Sequence, residues 1–566
     1  VQQIMLDITR IKVGVKIGPS IAVTHTEEPA SSGKPPELSP PLRGNLQRNP
    51  DVLSLLSWRS FLSKFVGFDQ QMDDLREWAM SDEKVSVKFI VGDGGMGKTR
   101  TAAEFAWQLY EEDEWAAGFV DLRKPSPCSW NENGNLLIID YPEEHRPRVA
   151  ELLADLDQFA KVECPRLRVL FLTRRSVDDW YELITDCNAN NFVDMTPLRV
   201  QGLTAKHAYA VFCSAQEGAA EHLDTAPEPV QVEALEDWLK LAPENDRALF
   251  IVALGVHSAL NPNDPVVQYT GPQVVQAIID REVSGLRTIA TNTGLSDEYA
   301  LARVLSLAAI AGDITDSETA KMAKSRPDLF GLQPGDNIRK ALRLIAVGPE
   351  RLIPAPKPDI LAAALVTRAL REDPETAPEL IWAGLAPDIV NGLNRLARLS
   401  YDAEIVLELH RHRIRDWLAQ AVQGRKERCE FLRPYVSEAH LPVGWTDAAI
   451  AVWRTLLDFA ETEEERAKTL NNLSNGLSDA GDNPGALDAI REAVEIRRRL
   501  AHAQPARFEP DLAMSLANLG LILRGAGEHN AGNAALVEAG ELLRPYALQS
   551  PNGPHMKLFK AIESML

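Results

Sequence analysis

The sequence predicts a multidomain chain that opens as an α/β fold, a parallel sheet flanked by helices, and continues as all-helical blocks ending in a helical-repeat tail. Three observations carry this expectation. Short aliphatic runs alternate with helix-length segments up to about residue 204, as in VKFIV (87–91), AGFVDL (117–122), LLIID (136–140) and RVLFLT (168–173). That alternation implies crossover units and a parallel sheet, and the near-continuous apolarity of the runs suits strands buried on both faces. Beyond residue 204 helical spacing takes over, as in Ala208, Val211 and Phe212 and in Val232, Leu235, Trp238, Leu239 and Leu241. The last hundred residues repeat themselves at an offset of 46.

At 566 residues the chain has room for about three to five domains. Its 60 basic and 81 acidic residues leave a net charge of −21, which argues against a broad nucleic-acid grip and against attraction to an anionic membrane. The five cysteines (Cys128, Cys164, Cys187, Cys213, Cys429) are scattered, with no C-x-x-C pair and no histidines at zinc spacing, so neither a disulfide framework nor a metal centre is expected from them. No apolar run approaches the roughly 20 residues of a membrane helix, and the start of the chain lacks signal-peptide order. The expectation is a soluble, cytoplasmic protein without membrane contact.

In chain order, residues 1–52 read as an extension with one strand-like alternation (Ile11, Val13, Val15, Ile17) and a proline-rich linker. Residues 53–204 hold the α/β pattern. Residues 205–285 and 286–440 form two helical stretches, the second interrupted by PAPKP (354–358), which no helix continues through. In residues 441–566 the offset of 46 pairs Leu470 with Leu516, Leu473 with Leu519, Leu477 with Leu523 and Ala480-Gly481 with Ala526-Gly527. Each copy reads as helix, glycine turn, helix, which looks like a tetratricopeptide repeat with a long connection, and the helices around Trp445 to Phe459 read as a degenerate copy or a cap.

The chemistry concentrates in GDGGMGKTR: Gly92, Asp93, Gly94, Gly95, Met96, Gly97, Lys98, Thr99 and Arg100, after a strand and before a helix. The GxxxxGKT spacing is that of a phosphate-binding loop. Glycines let backbone N–H groups curl round phosphates, the lysine reaches the β and γ phosphates, and the threonine hydroxyl ligates magnesium. Asp140, at the tip of LLIID, is placed for the same magnesium ion through a bound water. Tyr141 follows it. Glu143 and Glu144 come next, and either one polarises an attacking water or both simply favour the positive end of the helix that starts near Pro142. RVLFLTRRS ends a strand in Thr173, Arg174 and Arg175, and such an arginine can read a γ phosphate. HRHRIRDW (410–417) is the most basic stretch but reads better as a solvated helix face.

FVGFDQQMDDLREW, GDGGMGKTR, LLIIDY and LTRRSVDDW, in this order, resemble the signal-transduction ATPases with numerous domains (STAND), the NACHT and apoptotic-ATPase-like group, over about residues 60 to 400. The resemblance implies a P-loop domain binding ATP or ADP with Mg2+, a helical lid at 205–285, a winged-helix-like block at 286–440 and a repeat sensor for a protein partner or ligand. It also implies a slow ATPase serving a switch, with nucleotide-dependent homo-oligomerisation. Carried over by residue, the adenine-side Gly-Arg motif matches at Gly67 but has Phe68 for arginine. The lid motif falls on NDRALF (Asn245 to Phe250), with Ala248 in place of proline. The spacing to Asp179 and Trp180 favours Arg175 over Arg174 as the γ-phosphate sensor, beside Asp140 and Glu143 as catalytic residues. Two other functions fit the motifs less well: a P-loop phosphotransferase with a small-molecule substrate, and a repeat scaffold with a decayed nucleotide site.

Overall fold

The computed structural model describes residues 38–39, 52–120, 122, 131–161, 165–263, 268–411, 413–437, 445–550 and 553–566. The alternation from Ile11 to Ile17, nearly all of the proline-rich linker, Asp121 of the second expected strand, and Cys128, Cys164 and His412 lie outside them. Two compact units divide the chain: Thr26–Thr376 with Ala383–Arg411, and Ala377–Trp382 with His412–Leu566. Within the unit that holds the repeats, the helix Ile414–Val422 packs on Thr446–Asp458.

The first unit is built on a six-stranded sheet. The strands are β1 (Leu38–Ser39), β2 (Val85–Val91), β3 (Ala116–Val120), β4 (Asn135–Asp140), β5 (Leu167–Thr173) and β6 (Val193–Arg199), in spatial order β1-β3-β4-β5-β2-β6. β2 to β6 run parallel, and β1 pairs antiparallel with β3. Four of these strands are the four apolar runs of the sequence. β6 is absent from that set because it is an edge strand of mixed polarity, carrying Pro197, and its register against β2 shifts between Lys88 and Ile90.

Helices cover both faces, as a parallel sheet requires. On one face Phe89 and Phe171 meet Trp180, and Val149, Leu153 and Leu156 of the helix Arg146–Ala160 close that core. On the other, the helix Lys98–Glu112 presents Ala102, Ala103, Phe105, Ala106 and Leu109, all fully buried.

Four helices follow: Ala205–Leu223, Val232–Leu241, Ala248–Leu260 and Gly271–Thr293. The first and third approach closely because residue 255 is glycine; a Cβ there would lie 2.8 Å from the Phe212 carbonyl oxygen. Asn245, fully buried, ties the group together, donating to Trp238 O at 2.7 Å and accepting from the Gly271 N–H at 2.8 Å. Val232 and Leu241, expected on the buried stripe, are exposed. Next, the helix Ala300–Ala311, β7 (Ile314–Thr315), the helices Asp316–Ser325 and Ile338–Ile345 and β8 (Leu352–Ile353) form a small block, with β7 and β8 paired antiparallel. PAPKP connects β8 to the helix Asp359–Leu370, and the helix Ile389–Tyr401 runs on into a π-helical turn, Asp402–Val406.

In the second unit the helices Thr446–Asp458, Glu463–Asp479, Asn483–Ala503, Pro505–Gly525, His529–Gln549 and Pro554–Met565 each pack on the next. The offset of 46 holds in atomic detail. Gly481 (φ 81°) and Gly527 (φ 89°) both adopt the left-handed conformation, which suits glycine. Asp482 N donates to Leu477 O at 2.9 Å, and its counterpart Glu528 N donates to Leu523 O at 2.8 Å. Both are six-to-one helix-terminating bonds. HRHRIRDW does not present a plain solvated face: Ile414 and Trp417 are buried, and Arg413 pairs with Asp416 at 2.8 Å.

Candidate functional site

The loop from Gly92 to Gly97 leaves the buried strand β2 and turns into the helix Lys98–Glu112, whose N-terminus offers free backbone N–H groups and a positive dipole end. Gly95 (φ 76°) and Gly97 (φ 107°) lie in the left-handed region. A Cβ at Gly95 would lie 2.9 Å from Ile360 Cδ1, so a side chain at this position would push on its cover. Gly94, Gly95, Gly97, Lys98, Thr99 and Arg100 line a cavity of about 540 Å³; Gly92, Asp93 and Met96 are not on its wall.

Lys98 is nearly buried and donates to the carbonyl oxygens of Gly92, at 2.5 Å, and Asp93, at 2.9 Å. Burial, helped by the nearby Arg174 charge, lowers its pKa to about 8 against the pull of Asp140 and Glu143. Thr99 Oγ1 donates to Asp140 Oδ2 at 3.1 Å. Burial raises the Asp140 carboxyl to about 6, more than Lys98 lowers it. Hydroxyl and carboxylate oxygens side by side are hard donors of the kind magnesium takes. The tight glycine cradle, a lysine and an arginine on its wall, and this oxygen pair fit a magnesium-bound nucleotide.

The strand order places β5 between the loop strand β2 and the aspartate strand β4, so the residues after β5 project between loop and aspartate. Arg174, rather than the expected Arg175, reaches the cavity. Side chains alternate along a strand, and Phe171 faces the core built on Trp180, so Arg174 falls on the opposite side with the loop. Arg175 lies near Arg146, whose charged form is disfavoured first by burial and then by the Arg175 charge.

Neither glutamate stands free beside Asp140. Glu144 pairs with Arg398 and lies 3.8 Å from Arg395. Glu143 sits in the 3-10 turn Pro142–His145, nearly buried and off the cavity wall, with no hydrogen-bond partner at Oε2. Tyr141 is held at φ 54°, a strained conformation for a tyrosine, with the Arg398 guanidinium 4.1 Å from its ring centre.

The NDRALF segment closes on the loop. Arg247, 3% exposed, donates to Gly94 O at 2.7 Å, and Leu249 N donates to Gly95 O at 2.9 Å. A Cβ at Gly97 would lie 3.6 Å from Phe68 and 3.8 Å from Ala248, the two residues that replace the arginine and proline of the resembled motifs. At this end the cavity wall is aromatic. Phe65 stacks on Phe68 with centroids 5.2 Å apart, Trp58 and Phe61 join them, and the Arg100 guanidinium lies 3.9 Å from the Phe61 ring centre. A flat apolar wall beside a phosphate cradle suits a base.

The opposite wall is ionic, and it joins Arg174 and Glu144 to three residues the sequence did not mark, Asp359, Arg398 and the Asp402 behind it. Arg174 makes a two-pronged pair with Asp402, at 2.7 and 3.0 Å, and lies 3.5 Å from Asp359. Arg398 binds Asp359 at 2.8 Å as well as Glu144. Burial opposes the Asp359 charge, but Arg398 and Arg174 outweigh it and hold its carboxyl at about 2. The only local hint of these residues is Asp359 directly after PAPKP. Among the described residues no cluster of three or more His, Cys, Asp or Glu side chains could hold a metal ion by itself, and no helix is long and apolar enough to cross a membrane.

No family model matches the chain, and comparison with curated proteins finds no match. Among solved structures the chain is similar to the Orc1 protein of Aeropyrum pernix in complex with DNA, with 15% identity and a TM-score of 0.31 over 57% of this chain and 96% of that one. It is also similar to a signal transduction ATPase with numerous domains from Pyrococcus horikoshii that carries a tetratricopeptide repeat sensor. There the identity is 15% and the TM-score 0.25, over 86% of this chain and 85% of that one.

Proposed function

We propose that this chain is a nucleotide-dependent switch of the STAND type: ATP or ADP with Mg2+ is held at the phosphate loop, and a ligand or protein partner acts through the carboxy-terminal helix pairs. The observation that carries the proposal is the way the cavity is closed. Its walls are the phosphate loop, the NDRALF segment of the helical group, and the helices that bear Asp359 and Arg398. A nucleotide there lies between these three groups, so its identity can bias how they pack. A phosphotransferase instead needs an acid and a base facing a substrate; beyond Asp140, the cavity acids Glu144 and Asp359 are committed to arginines and Asp313 accepts from the Ala355 N–H.

In this assignment Lys98 and the loop N–H groups hold the phosphates, Thr99 and Asp140 hold magnesium, directly or through water, and the aromatic wall at Phe65 and Phe68 holds the base. Held there, magnesium would supply charge neutralisation at the phosphates. Hydrolysis is slow, because Glu143 is buried off the cavity and Glu144 is engaged. Stacked helix pairs offer a concave partner surface, and nucleotide exchange permits assembly with further copies of the chain.

Release of bound nucleotide from purified, denatured protein tests the proposal. Near-stoichiometric ADP, lost in Lys98→Ala, is the expected result. A folded wild-type protein that neither carries nor binds adenine nucleotide would refute it.

A further inference from the structure

One contact beside the cavity has no counterpart in the motifs: the fork between Arg174, which lines it, and the buried Asp402 behind. Asp402 has no exposed surface and begins the π-helical turn Asp402–Val406, a rare geometry that recurs at functional sites. The fork lies over the phosphate loop itself. A Cβ at Gly94 would lie 2.9 Å from Arg174 Nη2 and 3.0 Å from Asp402 Oδ1. Arginine meets carboxylate and phosphate through the same planar pair of N–H donors. Arg174 therefore has one face to give and two claimants for it, the carboxylate beside Gly94 and the terminal phosphate of a nucleotide seated in the loop.

We propose that Asp402 is an internal stand-in for the terminal phosphate. Its carboxylate occupies Arg174, so that the packed segment Ile389–Val406 and a triphosphate compete for one guanidinium. The inference rests on the nucleotide-switch reading of the same cavity and adds the element that tells the two nucleotides apart. A diphosphate leaves the fork intact. A triphosphate brings further negative charge beside Asp402 and Asp359, which repels both carboxylates and draws Arg174 away from them. Asp359 and Arg398 belong to the same cluster, so loss of the fork frees the start of the helix Asp359–Leu370 as well as the π-helical turn.

The test uses the full chain stripped of nucleotide and titrated by calorimetry with MgADP and with the non-hydrolysable Mg-β,γ-imido-ATP. In Asp402→Asn the ratio of the two affinities should move toward the triphosphate by about tenfold or more, with ADP affinity changed less than about threefold. The double variant Arg174→Met/Asp402→Leu removes both charges while keeping the site filled, and should show no such gain, because the competed-for guanidinium is gone. An unchanged ratio in Asp402→Asn overturns the proposal, as does an equal gain in the double variant, which would assign the effect to repulsion alone. Wild-type protein that binds neither nucleotide overturns the switch reading along with it, whereas wild-type binding with an unmoved ratio overturns only the role of Asp402.

Discussion

Replacing Lys98 with methionine should make the nucleotide-free protein more stable at pH 7 while abolishing nucleotide binding. Lys98 is 8% exposed, and its pKa falls from 10.5 to about 8. At about 1.36 kcal/mol per pKa unit, that drop means the charged lysine costs the folded state about 3 kcal/mol. Methionine fills similar volume without charge but forfeits the bonds to Gly92 O and Asp93 O. With about 1 kcal/mol for each lost bond, the net gain is about 1–2 kcal/mol. The sign follows from the lowered folded pKa. The cost is fully present below about 8, where both folded and unfolded lysines are charged, and it disappears above about 10.5, where both are neutral. Urea denaturation of nucleotide-free wild-type and Lys98→Met protein between pH 7 and 10 reads this directly: the advantage of the variant should shrink across that window. A variant less stable than wild type at pH 7, or a difference that ignores pH, would refute the reasoning that the lysine is held at a cost until phosphate arrives.

Asp140, raised to about 6 by burial, takes up a proton as the pH falls below that value and then no longer serves magnesium. The magnesium-dependent part of nucleotide affinity, measured as the difference between titrations with Mg2+ and with EDTA, should fall about tenfold per pH unit below 6 and vanish in Asp140→Asn. Arg247→Met should destabilise the first unit by about 3 kcal/mol, by stranding Glu244 and leaving the Gly94 carbonyl without its donor. Faster amide exchange across residues 92–97 is the local readout. In the tail, Gly481→Ala and Gly527→Ala should each cost about 1 kcal/mol of thermal stability because both residues have positive φ. Gly525→Ala should instead raise stability by about 0.5–1 kcal/mol, since that glycine is helical with open space around its missing Cβ.

The loop was legible because its chemistry is local: strand, glycines, lysine, threonine and helix are consecutive, and the structure keeps them so. Asp140 was legible for a related reason, since four apolar residues ending in an acid describe a buried strand and its tip. The repeat was read from self-similarity alone, and in both copies the first helix is followed by the same left-handed glycine. Strand β6 escaped because an edge strand with a proline carries neither clean alternation nor an apolar run. The choice between Arg174 and Arg175 also escaped. Adjacent residues leave a strand on opposite sides, and which side faces the loop depends on where Phe171 and Trp180 place the core.

The sequence by itself determined most of the elements and the phosphate-loop pattern, because turn geometry, strand burial and helix caps are set by residues within a few positions of one another. Only the tertiary structure decided what closes the cavity. Arg174, Asp359, Arg398 and Asp402 are spread over more than two hundred positions and meet through packing. An isolated arginine or aspartate in a sequence looks the same whether it faces water or a buried partner, and only the fold brings the second charge within about 3 Å and removes the solvent between them.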